Sequence, residues 1–288
     1  MEGKWVGVAL ALLAATMNAT GINLQRLAKR RASMRLALLG VLLSTGCGLV
    51  DVASFAFAPQ SFLAPFGALS LLVNLLLAPT LHGDAVRPLD LVATALVVCG
   101  VALCLANHSV APRDWSLTQL RQLPYGHAFH AWLAVQAALL CVGGGWLLHA
   151  PSRPSAAPCF ALVAGLLGGC TVLSAKFAGE LAAAGAPLHD LALPGAGVGL
   201  FAAAQLLVLN QGVGRHSSLV VVPVFVATFV CANAIGGGLF FEEFAAFTPE
   251  QRRSYLQGAA IIAVGNVCLS FRTPDVKDQP GEGEKKQL

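Results

Sequence analysis

Charge is what this sequence has least of. Charged residues fill 11% of its 288 positions, against about 25% in soluble globular chains. That is too little to clothe a water-facing surface, which argues against a soluble enzyme, a nucleic-acid-binding domain and a secreted disulfide scaffold. Alternation is missing as well. Apolar residues come in runs of about 20, the length of a helical span, and not at every second place over about 10, as in a membrane β-barrel. The eight cysteines contain no Cys-x-x-Cys, so neither a zinc site nor a disulfide framework is indicated, and they read as small buried hydrophobes. There is no nucleotide-binding loop, no His-Glu-x-x-His and no Gly-x-Ser-x-Gly. ATP-driven pumping and lipid hydrolysis therefore lack their machinery. The chain is not expected to be an enzyme or to need a cofactor.

What is present in quantity is hydrophobicity: 56% apolar residues and a mean hydropathy of +0.71. The fold class expected is all-α, a polytopic membrane protein in the lipid bilayer. Nine spans are expected, over 5–26, 36–57, 62–81, 89–107, 128–148, 159–179, 192–211, 218–240 and 256–272. The first has some grammar of a signal peptide, with Lys4 before an apolar run, but that run continues to Arg26. The tail over 273–288, charged and rich in Pro and Gly, is expected to be disordered and cytoplasmic. Alternate loops divide Lys and Arg twelve to five. By the positive-inside rule the N-terminus lies outside or in a lumen and the C-terminus in the cytoplasm. The Asn107-His-Ser109 sequon would then lie outside, close to the end of its span.

The third and eighth spans echo each other. Ser61-Phe-Leu-Ala-Pro65 leads to Asp84, and Ser218-Leu-Val-Val-Val-Pro223 leads to Glu242, each proline preceding its acid by 19 positions. Spans 1–4 (about 5–107) and 6–9 (about 159–272) then form two copies, with 128–148 as a linker crossing. Four crossings plus one start the second copy from the opposite face, which makes an inverted 4+1+4 repeat of the kind found in secondary transporters.

The segment Val52-Ala-Ser-Phe-Ala-Phe-Ala-Pro59, followed by Leu63-Ala-Pro65-Phe-Gly67-Ala-Leu-Ser70 and then Gly83-Asp84, resembles the NIPA-type magnesium transporter family of the drug/metabolite transporter superfamily. Further matches are Ser174-Ala-Lys176, Leu209-Asn210 and Ser218-Leu-Val-Val-Val-Pro223. The resemblance implies transport of magnesium or a related divalent cation. It also shows a departure: where that family has a Glu and then an Asn in its second helix, this chain has Gly48 and Asp51. The carboxylate is kept, one helical turn further on.

A carboxylate at membrane depth is costly and therefore a functional candidate, and Asp51 is the clear case. Mg²⁺ takes hard oxygen ligands and keeps several waters, so Asp51 with the amides of Asn18, Asn23, Asn74 and Asn210 forms a candidate path; each amide is equally suited to an interhelical hydrogen bond. Lys176 and Glu180 have the i,i+4 spacing of an ion pair, or Lys176 serves as a movable counter-charge. Glu242 and Glu243 flank the outer mouth, either concentrating cations or simply solvated. Pro65 and Pro223 each free a carbonyl one turn earlier and are candidate hinges. His127 and His130 read as interfacial, and the Gly143–145, Gly195/197/199 and Gly236–238 runs as helix-packing surfaces. Two other readings stay open: a transporter of a small organic solute, and a membrane scaffold without flux. The plasma membrane or an endosomal membrane would be the site, with a divalent cation as substrate, no nucleic-acid partner, and a homodimer allowed.

Overall fold

Inside a bilayer only a helix satisfies its backbone within one segment, and each apolar run folds accordingly. The structure, a computed structural model, describes residues 2–83, 86–106, 115–216 and 218–269. Asp84, the 107–109 sequon and the 273–288 tail lie outside the described residues. The helices are α1 (Glu2–Arg31), α2 (Met34–Ser54), α3 (Gln60–Leu63), α4 (Ser70–His82), α5 (Pro88–Ala106), α6 (Leu117–Gln122), α7 (His127–His149), α8 (Ala156–Ala183), α9 (Leu188–Arg215), α10 (Ser218–Phe240) and α11 (Pro249–Leu269). Among the described residues there is no strand. Among the described residues eight spans are long and apolar enough to cross a membrane, α3 and α4 counting as one. α11 has the same 21 residues as α2. It begins at Pro249, seven positions before the expected span, and its early Glu250, Arg252 and Arg253 hold its hydropathy down.

The third span is broken where its sequence demands it. Pro65 has no N–H to give the carbonyl of Ser61 and crowds that carbonyl sterically. The chain answers with α3, then a 3₁₀ stretch over Ala64–Leu69, then α4. The carbonyl freed at Ser61 accepts a hydrogen bond from Tyr255 Oη at 2.7 Å, so it is not left bare in the membrane. Pro223 sits near the start of α10, which continues without a break. Both prolines are buried, but only Pro65 marks a joint.

Packing follows a recurring order. α1 lies along α2 and against the 3₁₀ stretch and α4; α8 lies along α9 and against α10. α5 pairs with α11, and α10 crosses α3 and the 3₁₀ stretch. α5 and α11 also start alike. The Arg87 N–H donates to Asp90 Oδ2 at 3.0 Å before Pro88-initiated α5, and the Thr248 N–H donates to Gln251 Oε1 at 2.9 Å before Pro249-initiated α11. Past the ends of α4 and α10 the backbone turns left-handed, at Gly83 (φ 68°) and Glu242 (φ 54°). By backbone conformation Glu242 therefore corresponds to Gly83 and not to Asp84, one position away from the equal-interval register.

Lipid gives helices little hydrophobic reason to associate, so close approach of small residues carries the packing. At the α5–α11 crossing a Cβ on Gly100 would stand 2.7 Å from the Gly258 carbonyl oxygen. The core beside it is Ala64, Ala68, Val97, Val230, Ala259 and Ile262. Gly236, Gly237 and Gly238 each abut a side chain (Trp132, Gln60, Phe244), as expected. Gly195 and Gly199 face open space and only Gly197 meets α8, at Ser174. α2 and α9 are peripheral, turning Leu38, Leu42 and Leu49, and Leu193, Leu200 and Leu207, outward. Of the cysteines only Cys104 is buried, while Cys99 and Cys141 are exposed. In lipid an apolar thiol needs no burial in protein.

Candidate functional site

Asp51 lies in the last turn of α2, which ends at Ser54 and not near residue 57. Its inward face is set by spacing: Gly40, Ser44, Cys47, Asp51 and Ser54 share one helical stripe. On that stripe Gly40 meets the Gly21 carbonyl of α1, the Ser54 carbonyl lies beside Gly7, and the Ser54 side chain is fully buried. Asp51 is half-buried, and among the described residues its carboxylate has no hydrogen-bond partner. Unpaired carbonyls at a helix C-terminus already make the surroundings negative. An acid placed there favours a cation.

Among the described residues none of the amides expected to share a path with Asp51 is hydrogen-bonded to its carboxylate. Asn74 of α4 accepts from Asn23 Nδ2 of α1 at 2.5 Å, and Asn23 Nδ2 also donates to its own helix at Ala19 O, 2.8 Å. That is an interhelical hydrogen bond, the second of the two roles open to them. Asn18 is half-buried on α1. Asn210 is exposed on α9, which packs chiefly on α8. His127 and His130 are exposed at the start of α7, and His130 Nδ1 lies 2.9 Å from the Gly126 carbonyl oxygen.

The densest polar arrangement is elsewhere, where the α10–α11 turn meets the start of α3. Glu243, expected at a solvated mouth, is 5% exposed. Its Oε1 accepts from the Gln60 N–H at 2.8 Å and from Lys176 Nζ at 3.2 Å; its Oε2 accepts from the Ser61 N–H at 2.8 Å. Lys176 thus pairs with Glu243 across helices and not with Glu180 along its own, because the ammonium lies deep in the bundle (5% side-chain exposure). Lys176 Nζ also stands 4.3 Å from the centre of the Phe241 ring. Burial pushes the Glu243 carboxyl up, but the Lys176 ammonium and the Ser61 and Gln60 donors outweigh it and hold it below the usual carboxylate range. Glu242 is exposed, as a mouth residue would be.

Spacing alone gave no sign of Gln60, Asn233 and Tyr255. The Gln60 amide donates to the Asn233 carbonyl and side-chain oxygens, both residues being buried. Tyr255 reaches back to Ser61 from α11. The available signal was a polar residue directly after Pro59 and an amide within the apolar eighth span. Among the described residues no group of three or more His, Cys, Asp or Glu is placed to hold a metal ion.

The described residues thus form an all-helical bundle of membrane length, with a half-buried carboxylate on α2 and a buried ion pair inside it. The chain belongs to the NIPA magnesium transporter family: the family described as "Magnesium transporter NIPA" matches residues 4–274. It is 23% identical over 262 residues to a "Probable magnesium transporter NIPA8" of Arabidopsis thaliana, a match covering 82% of this chain. The chain spans 57% of that relative's length. No solved structure matches it.

Proposed function

We propose that the chain carries Mg²⁺ or a related divalent cation across its membrane through the bundle, with Asp51 as the charged ligand on the way. The observation that carries this reading is an inward-facing carboxylate in the last turn of α2 with no hydrogen-bond partner among the described residues. Family membership supports the substrate class. Mg²⁺ dehydrates reluctantly and is commonly held by one or two carboxylates with its remaining waters, so one acid and neutral oxygens suffice. The recurring helix pairings support an inverted 4+1+4 repeat, and the twelve-to-five division of Lys and Arg supports an N-terminus outside or lumenal with the basic loops in the cytoplasm.

The test is Mg²⁺ uptake into proteoliposomes at a clamped membrane potential. Asp51→Asn keeps the shape and removes the charge; uptake should fall at least about tenfold, because a divalent ion would lose its formal negative ligand at that depth. Asp51→Glu should retain part of the rate. Parental uptake by correctly folded Asp51→Asn would make the charge structural and move the organic-solute reading ahead.

A further inference from the structure

We propose that Glu243 is a latch that holds one end of the bundle closed, and that the transport cycle has to release it. The inference rests on the transport reading above, but not on Asp51 being the cation ligand.

Glu243 ties together three pieces of chain that are far apart in sequence. It stands between α10 and α11, grips the first two N–H groups of α3, and pairs with Lys176 of α8. Gln60 and Ser61 belong to the first four spans, and Glu243 and Lys176 to the last four. Relative movement of the two sets at this end therefore breaks the bonds to Gln60 and Ser61, while the Lys176 pair stays within the second set. Both carboxylate oxygens accept from donors at 2.8 Å, and the Lys176 ammonium 3.2 Å from Oε1 opposes an approaching cation. Glu243 is bonded as a structural clasp, and Lys176 supplies the charge that makes such a clasp tolerable away from water.

What the clasp holds is a short, separate piece of the third span. α3 is four residues long, bounded by Pro59 on one side and by the 3₁₀ stretch containing Pro65 on the other. The first N–H groups of a helix have no partner inside it, and α3 obtains two of its partners from Glu243. The surroundings are sealed: Ala58 is 3% exposed, Gln60 and Asn233 are buried, and Phe241 covers the Lys176 ammonium while packing edge-on against Phe240. The neighbouring Glu242 is held left-handed, a conformation that costs a non-glycine residue energy and aims the next side chain inward. The charged groups at this end are Lys176, the exposed Glu242, Arg252, whose guanidinium donates to the Phe244 carbonyl at 3.0 Å, and Lys4, whose ammonium stands 3.9 Å from the centre of the Phe62 ring. Tyr255 is the further titratable group packed at this end, on Ser61.

The experiment is thiol labelling in nanodiscs, with Ala58→Cys introduced into the otherwise native chain and the maleimide reaction measured as the increment over the native cysteines. Ala58→Cys alone should react slowly; rapid reaction would overturn closure at this end. Adding Glu243→Gln should speed labelling at least about tenfold and lower Mg²⁺ uptake. Lys176→Arg, which keeps the charge, should leave labelling slow. Adding Asp51→Asn should leave labelling slow while uptake falls. The latch is overturned if Glu243→Gln does not speed labelling, or speeds it while uptake stays parental. If Glu243→Gln does not yield folded protein, Lys176→Met should speed labelling in the same direction, and its failure to do so also overturns the latch. Parental uptake in Asp51→Asn, with fast labelling and lost uptake in Glu243→Gln, removes the Asp51 reading and leaves the latch standing.

Discussion

Replacing Gly100 by Ala adds one methyl group at a close approach of the α5–α11 crossing. The added Cβ would lie 2.7 Å from the Gly258 carbonyl oxygen, 2.8 Å from Ile262 Cγ1 and 2.9 Å from the Ile262 backbone nitrogen. Ordinary contacts begin near 3.4 Å, so the helices must part by roughly 0.7 Å, and two of the three atoms are backbone that cannot swing away. Overpacking of this kind costs about 1–3 kcal/mol. Against it, Ala favours a helix over Gly by about 1 kcal/mol. Gly144 in mid-α7 supplies the control, since a Cβ there meets nothing within 4 Å and Gly144→Ala keeps the propensity gain without the clash. The difference between the variants isolates the contact. At roughly 3 °C per kcal/mol for a chain of this size, Gly100→Ala should melt about 3–9 °C below Gly144→Ala in the same detergent. Equal melting temperatures, or a more stable Gly100→Ala, would refute the close crossing and with it the account of how α5 and α11 are held.

Two further outcomes are expected. Tags at the two termini should be reached by protease from opposite sides of the membrane, the N-terminal one from outside or from the lumen; access from the same side would contradict the odd number of crossings. The second concerns pH. Because the folded Glu243 carboxyl lies below its unfolded value, its contribution is complete above about pH 4.3 and is lost as pH falls through the lower folded value. The melting-temperature gap between the native chain and Glu243→Gln should thus stay constant from about pH 8 to pH 5 and shrink only in stronger acid. A gap that closes between about pH 7 and pH 5 would show the opposite shift.

The membrane-spanning architecture was legible because lipid imposes a simple rule: about 20 apolar residues make a crossing. The family was legible because the residues around Pro59 and Pro65 are unusually specific. Helix ends were less so. α11 starts earlier than hydropathy indicates because Thr248, Pro249 and Gln251 make a capped start that a hydrophobicity sum ignores. Partner choice for buried charges was not legible. Lys176 has an acid one turn away in sequence, and local spacing favours it, but the partner it takes is 67 positions distant. Which acid wins is decided by how α8 packs on α10, and that is a property of the assembled bundle. The same holds for the asparagines, since nothing in the sequence tells Asn23–Asn74, which bind each other, from a ligand pair. The one-position slip between the two copies was hidden for a different reason: two equal intervals looked like a register, and only the left-handed turns at Gly83 and Glu242 reveal that they are not.

That slip accompanies a difference in winding between the third span and the unbroken α10. A 3₁₀ helix rises about 2.0 Å per residue where an α-helix rises 1.5 Å, so the six residues from Ala64 to Leu69 reach about 3 Å further than they would in α-form. The third span covers its crossing with one residue fewer between proline and left-handed turn than the eighth does. Its length is therefore set by winding and not by residue count alone. Rewinding those six residues as α-helix would shorten the span by about 3 Å, an axial stroke made by changing pitch while the side chains at either end keep their order.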